Sequence, residues 1–174
     1  MSVRISAKDI TGEVYHHTEG DVDTLHQLAG MLPPGPVIVN IGACFGTSTL
    51  AMLEARPDAF IFSVDINICP KEPEHLDLAG VEARRVVRCL GKSKEIGRHW
   101  PEQSTDLVFV DGGHTYQCVL NDIVTWTKTV KPGGIIAFHD YDTESLPDVK
   151  LAIDDVFGDI EPLLFVERIK AYWV

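Results

Sequence analysis

Apolar residues fall in two alternating rhythms along this chain. Between Asp21 and Leu32 they recur at Val22, Leu25, Leu28, Ala29 and Leu32. That is the spacing of one helix face, with Asp21 placed to cap it. Pro33-Pro34-Gly35-Pro36 stops the helix, and VIVNI (Val37–Ile41) follows as a short β-branched strand, apolar except at Asn40. The alternation then repeats. GTSTLAMLEAR predicts a helix, AFIFSVDI a second strand, Pro70–Ala79 a short helix and ARRVVRCL a third strand. Ser93–His99 reads as a helix, TDLVFVD as a fourth strand, YQCVLNDIVTWTKTV as a helix reaching Val130, and GGIIAFHD as a fifth strand. LPDVKLAIDDVF is helical, with Pro147 near its start, and the tail PLLFVERIKAYWV has the pattern of two strands joined by a tight connection.

Strands that are apolar on both faces and separated by helices predict a parallel sheet covered on both sides. Right-handed crossovers make such a sheet a doubly wound α/β fold. Ligands bind these sheets at the carboxyl ends of the strands. Two strands here end in groups that pack poorly and suit chemistry. The fourth runs into Asp111-Gly112-Gly113-His114, and the fifth into His139-Asp140-Tyr141.

The 174 residues fit one domain spanning 1–174, with an N-terminal arm and helix over 1–36. There are no internal repeats and no low-complexity tract. The formal charge of −11 argues against nucleic acid or an anionic membrane as a steady partner, because both would repel the surface. Cys44, Cys69, Cys89 and Cys118 form no CxxC pair, which fits reduced, mostly packed thiols and no zinc knuckle. No stretch approaches the ~20 apolar residues of a membrane span. The first residues, MSVRISAKDITGE, lack an apolar signal segment, so the expected location is the cytoplasm.

The first strand leads into a glycine loop, VNIGACFGTST. Gly42 permits a tight turn, and Gly46 lets a ligand or a helix approach the backbone. Thr47, Ser48 and Thr49 open a helix whose free N–H groups point back at the loop. GxxxG alone also describes a helix-packing turn. Asp65 adds specificity: it ends the second strand, nineteen residues beyond Gly46. An acid there can accept hydrogen bonds from both hydroxyls of a ribose.

With VDGGHTY, KPGG and HDY following in order, the chain resembles class I S-adenosylmethionine (SAM)-dependent methyltransferases, specifically the small O-methyltransferase-like group. The resemblance covers roughly Val37 to Tyr141. It implies a mostly parallel seven-stranded Rossmann-like sheet with an antiparallel last strand. It also implies SAM as cofactor, bound by Asn40, Gly42, Ala43, Gly46, Ser48, Asp65, Ile66, Ser93 and Asp111. Two positions depart from the family pattern: Asn40 stands where an acid is usual, and Lys92 where an acid is common.

Metal-assisted members of the group bind Mg²⁺ with an acid after the fourth strand and an acid pair after the fifth. By that resemblance Asp111, His139 and Asp140 are the metal positions, with His139 replacing one acid. His114 stands where some members carry a general base, and Asp111, His114 and His139 are the expected catalytic groups. Methyl transfer to oxygen needs a base, or a cation that lowers the hydroxyl pKa. Imidazole suits Mn²⁺, Fe²⁺ or Zn²⁺ better than hard Mg²⁺. Two readings stay open: a softer divalent metal, or no metal with His114 and His139 as bases. His16 and His17, before the first helix, have no ligand-spaced partner nearby and are not read as ligands. Trp126 is expected in the core, Tyr116 in ordinary packing, and Asp122 in a structural hydrogen bond.

The chain carries no long insertion after the fifth strand, so the acceptor pocket is expected to be open or completed by a second subunit in a homo-oligomer. The leading reading is O-methylation of a small hydroxylated molecule or sugar. The alternatives are a SAM-binding module without transferase activity, and a metal-dependent enzyme of other chemistry on the same scaffold.

Overall fold

Five parallel strands, β1 (Val37–Ile41), β2 (Phe60–Asp65), β3 (Val86–Leu90), β4 (Thr105–Val110) and β5 (Val130–Phe138), share one sheet with β6 (Leu164–Val166) and β7 (Ile169–Trp173). The order is β3-β2-β1-β4-β5-β7-β6, with β7 antiparallel to both neighbours. The computed structural model describes residues 4–11, 17–67 and 69–174. The expected sheet, including its antiparallel last strand, is the one observed. The strand order reverses beside β1 and β4, which puts the switch point at the glycine loop and the Asp111 tip.

Alternate side chains on each strand feed two cores. Ile38, Leu107, Phe109, Ile135 and Ala137 pack against α1 (Glu19–Gly30), α2 (Thr47–Ala55) and α3 (Lys71–Ala79). Val39, Val108, Val110, Ile136 and Phe138 pack on the other face, against α5 (Tyr116–Trp126) and α6 (Pro147–Phe157). The short helix α4 (Ser93–Arg98) lies on that second face through Ile96. Trp126 is fully buried there, as expected. No helix among the described residues is long and apolar enough to cross a membrane.

Several boundaries differ from the sequence reading. Helix α1 starts two residues earlier, because Thr18 rather than Asp21 caps it. Thr18 Oγ1 accepts from the Asp21 N–H at 3.1 Å, and the Thr18 N–H donates to Asp21 Oδ2 at 2.8 Å. This reciprocal capping box places Asp21 inside the first turn. Helix α5 ends at Trp126; a 3-10 turn over Thr127–Thr129 follows, and β5 already begins at Val130. Val130 pairs with Thr105 before a register shift, so the segment written KPGG lies inside an irregular strand. Ala83–Arg85 form a 3-10 turn ahead of β3. Of the four cysteines, all free, Cys44 and Cys118 are exposed rather than packed.

The β4–β5 register positions the site. Val110 pairs with Phe138, so Asp111 and His139 leave the sheet side by side. Strand alternation turns both towards the α1 face. Backbone bonds lock the tips: Asp111 N–H donates to Ile41 O at 2.9 Å and His139 N–H to Val110 O at 3.0 Å.

Candidate active site

The glycine loop is shaped by two close approaches. Gly42 has φ 82°, and a Cβ there would lie 1.8 Å from the carbonyl oxygen of Asp111. Only glycine lets the β1 and β4 tips meet this way. Gly46, at φ 85°, has Glu72 of α3 against it: a Cβ would meet Glu72 Cγ at 2.9 Å. The close neighbour at Gly46 is therefore a helix.

Beside this loop opens a cleft of about 300 Å³, lined by Gly42, Asp65, Ile66, Ser93, Asp111 and Gly112 among others. Asp65 fixes its rim. Its Oδ2 accepts the Cys44 N–H at 3.0 Å and its Oδ1 accepts the Asn67 N–H at 2.9 Å. Ile66 projects into the open, 65% exposed. Ser93 donates its hydroxyl to Asp122 of α5. Burial pushes the Asp122 carboxyl up to about 6, against the lowering effect of that bond.

Of the residues expected around a cofactor, Asn40, Ala43, Gly46 and Ser48 lie buried behind the loop instead of lining the cleft. Asn40 Nδ2 donates to Ser48 Oγ at 3.0 Å and to Thr49 Oγ1 at 2.9 Å. Thr49 and Ser63 in turn donate to Glu72 Oε1 at 3.2 and 2.6 Å. Burial raises the Glu72 carboxyl above its ordinary value, opposed by these two bonds. A hydrogen-bonded chain thus joins β1, β2, α2 and α3 beneath the loop, and Asn40 holds the start of α2 through it. Lys92 is exposed at the N-cap of α4.

At the β4 and β5 tips the structure gathers seven ionisable groups. His139 Nδ1 lies 3.2 Å from Asp111 Oδ1 and 3.4 Å from Asp140 Oδ2, and its Nε2 lies 3.3 Å from Asp21 Oδ2. His114 Nε2 sits 3.2 Å from Asp140 Oδ2 and 3.8 Å from Asp111 Oδ1. Arg168, between β6 and β7, donates to Asp21 Oδ2 at 2.6 Å and to Asp140 Oδ1 at 3.1 Å. Asp140 holds φ 56°, a backbone state that Asp tolerates better than most residues. His17 enters from the segment before α1, with Nε2 at 3.4 Å from Asp111 Oδ2 and its ring centroid 4.6 Å from that of His139, the two rings tilted by 47°.

Neither His17 nor Asp21 was expected in the site. The signal for them was the Thr18-x-x-Asp21 capping box, which fixes the helix start and so puts His17 at its mouth. His16 lies outside the described residues. Tyr141 is buried beside the cluster and donates to Asp154 Oδ1 at 2.7 Å, while Tyr116 donates to Asp155 Oδ2 at 2.8 Å.

The charges reinforce one another. Burial opposes ionisation of Asp111, Asp140 and Asp21, yet the histidines hold all three well below the usual carboxylate range. Hydrogen bonding to Asp111 and Asp140 raises His114 to about 9. Burial resists protonation of His139, but Asp111 and its neighbours raise it well above the ordinary imidazole value. Burial lowers His17 to about 4.

A model of the methyltransferase-domain family matches residues 39–141, more than half of the chain. The chain belongs to this family. Among curated proteins, this methyltransferase domain is 28% identical over 126 residues to a Mycobacterium sp. (strain JLS) protein named "Putative O-methyltransferase". That match covers 68% of this chain and 54% of the relative. An uncharacterized protein of Acanthamoeba polyphaga mimivirus is 42% identical over 57 residues, covering 32% of this chain and 26% of that protein. The chain thus spans about half or less of the length of these curated relatives.

The domain also matches solved structures in fold. The O-methyltransferase NovP superimposes with a TM-score of 0.68 at 15% identity, covering 90% of this chain and 80% of that one. A TDP-rhamnose 3'-O-methyltransferase of calicheamicin biosynthesis gives 0.66 at 18%, covering 88% and 76%. The methyltransferase domain therefore has the class I sheet, with the cleft at its switch point and the ionisable cluster beside it.

Proposed function

We propose that this domain is a SAM-dependent O-methyltransferase acting on a small hydroxylated molecule or sugar. The observation that carries the reading is the double position of Asp111. It lines the cleft beside the glycine loop, and its carboxylate belongs to the histidine–aspartate cluster. A cofactor cleft and a proton-handling group therefore adjoin, as transfer to a hydroxyl requires.

The residues lining the cleft support a SAM site. Asp65 would take the ribose hydroxyls, Ile66 would lie along the adenine with Ser93 near it, and Gly42 lets the chain come close. When bound, SAM supplies a methyl group already activated at a sulfonium, so the protein needs only to position the acceptor and manage one proton. Asn40 already donates to Ser48 and Thr49, so an amide serves at that position without a charge.

His114 is the accessible proton carrier, its side chain 41% exposed. Held at about 9 by Asp111 and Asp140, it is protonated at neutral pH in the metal-free protein. A divalent cation on the carboxylates would offset their charge and bring His114 towards neutrality. The cluster fits such an ion: His17 Nε2, His139 Nε2 and Asp21 Oδ1 are buried with no hydrogen-bond partner among the described residues. We place the cation at the β4 and β5 tips, on Asp111 and His139. The acidic surface supports a small-molecule substrate over RNA, and a cytoplasmic setting fits the free thiols.

The test is production of S-adenosylhomocysteine from SAM with a panel of sugars and small hydroxylated acceptors, in wild type and His114→Ala. Turnover should appear in wild type and fall at least about 100-fold in the variant, with cofactor binding kept. Equal turnover removes His114 from proton transfer. Cofactor binding with no turnover on any acceptor favours a binding module.

A further inference from the structure

The β4 and β5 tips alone do not account for the donors that converge on Asp111. Its two oxygens face different histidines: Oδ1 is 3.2 Å from His139 Nδ1, and Oδ2 is 3.4 Å from His17 Nε2. One ligand atom from each of His17, Asp111 and His139 can be chosen so that all lie within 4.8 Å of one another. Both imidazoles are at least nine-tenths buried, with side-chain exposures of 9% and 6%. His17 Nε2 has no hydrogen-bond partner among the described residues. The ring of Phe109 lies 6.0 Å from that of His17 and 6.1 Å from that of His139. A buried ring nitrogen left without a partner beside a carboxylate is costly unless a ligand completes it.

We propose that His17, Asp111 and His139 form a two-histidine, one-carboxylate site for a borderline divalent cation such as Mn²⁺, Fe²⁺, Co²⁺ or Zn²⁺, with His17 supplied by the segment before α1. This deepens the cation reading above and rests on it. The outer partners of the site are already in place. His139 would ligate through Nδ1, the nitrogen on the Asp111 side, while its Nε2 lies 3.3 Å from Asp21, which Arg168 holds at 2.6 Å. That is the carboxylate–histidine–metal arrangement, in which the outer acid fixes the ring. Asp140 also comes within 3.4 Å of His139 Nδ1, but it is bound by Arg168 at 3.1 Å and lies 3.2 Å from His114 Nε2, and it serves as an outer partner. Two nitrogens and one oxygen select borderline ions over Mg²⁺, which prefers an all-oxygen octahedron. Three protein ligands leave positions open for the oxygen of an acceptor. The cation would also tie the segment before α1 to the β4 and β5 tips.

The test is titration of the metal-stripped full chain with Co²⁺, Zn²⁺ and Mg²⁺ separately, followed by calorimetry and by the visible absorption of Co²⁺. Wild type should bind one Co²⁺ or Zn²⁺ at least tenfold tighter than Mg²⁺. His17→Gln should weaken Co²⁺ at least tenfold and change its spectrum, while Asp140→Asn should change affinity less. In His114→Ala loaded with Cu²⁺, pulsed electron paramagnetic resonance should count two coordinated imidazoles, which decides the matter even if the His17 variant fails to fold. One imidazole, unchanged Co²⁺ affinity in folded His17→Gln, or Mg²⁺ bound as tightly as Co²⁺ would overturn the assignment. S-adenosylhomocysteine binding, measured in parallel, reports on the methyltransferase reading by itself.

Discussion

Asp111 and His139 are the next pair of the β4–β5 ladder, one step past Val110 and Phe138, and their side chains meet at 3.2 Å. Two parallel strands in register deliver side chains of equal parity to one face. Parity here turns the pair towards α1, where His17 and Asp21 wait. The sheet thus fixes the cluster through backbone bonds, without relying on a long loop.

Gly42 is where the two halves of the site press together. Gly42→Ala would put a Cβ 1.8 Å from the Asp111 carbonyl oxygen, at a φ of 82° that Ala resists. The expected loss is about 3 kcal/mol or more, with a displaced β4 tip. Urea denaturation of wild type and variant checks it. A loss below about 1 kcal/mol would mean that the tips separate easily and that the loop is less fixed than its geometry indicates.

Asp122 gives a pH dependence of definite sign. Its folded pKa is raised to about 6 from an ordinary 3.8. Between those values the native state binds the extra proton, so this group's contribution to stability is complete below about 4 and is lost as pH rises through 6. The loss is on the order of 2–3 kcal/mol. Asp122→Asn should therefore gain on wild type between pH 4 and pH 7, as read by denaturant midpoints at both. Parallel curves for the two proteins would contradict the shift.

Much of this was legible beforehand, for physical reasons. β-branched runs separated by helical spacing have one good solution, a covered parallel sheet, and its carboxyl ends locate Asp65, Asp111, His114, His139 and Asp140. The fate of Asn40 was not legible, because a buried side chain chooses partners by three-dimensional proximity; here the Ser48 and Thr49 hydroxyls accept hydrogen bonds from its amide nitrogen. His17 was missed for a related reason. Its partners lie far along the chain, at Asp111 and His139, and no local spacing pairs them. The early start of β5 was hidden because Pro132 and the two glycines after it look like a break, yet Val130 pairs with Thr105 before them.

On the proposed function, the cleft rimmed by Asp65 holds the cofactor. The most direct measurement is calorimetric titration with S-adenosylhomocysteine of wild type and Asp65→Asn, each metal-stripped and metal-loaded. Asp65→Asn keeps the shape and removes the charge that would strengthen two hydrogen bonds to the ribose. Wild type should bind in the micromolar range, weakened about 10- to 100-fold in the variant with folding intact. No binding by folded wild type under either condition, or equal binding by both proteins, would contradict it.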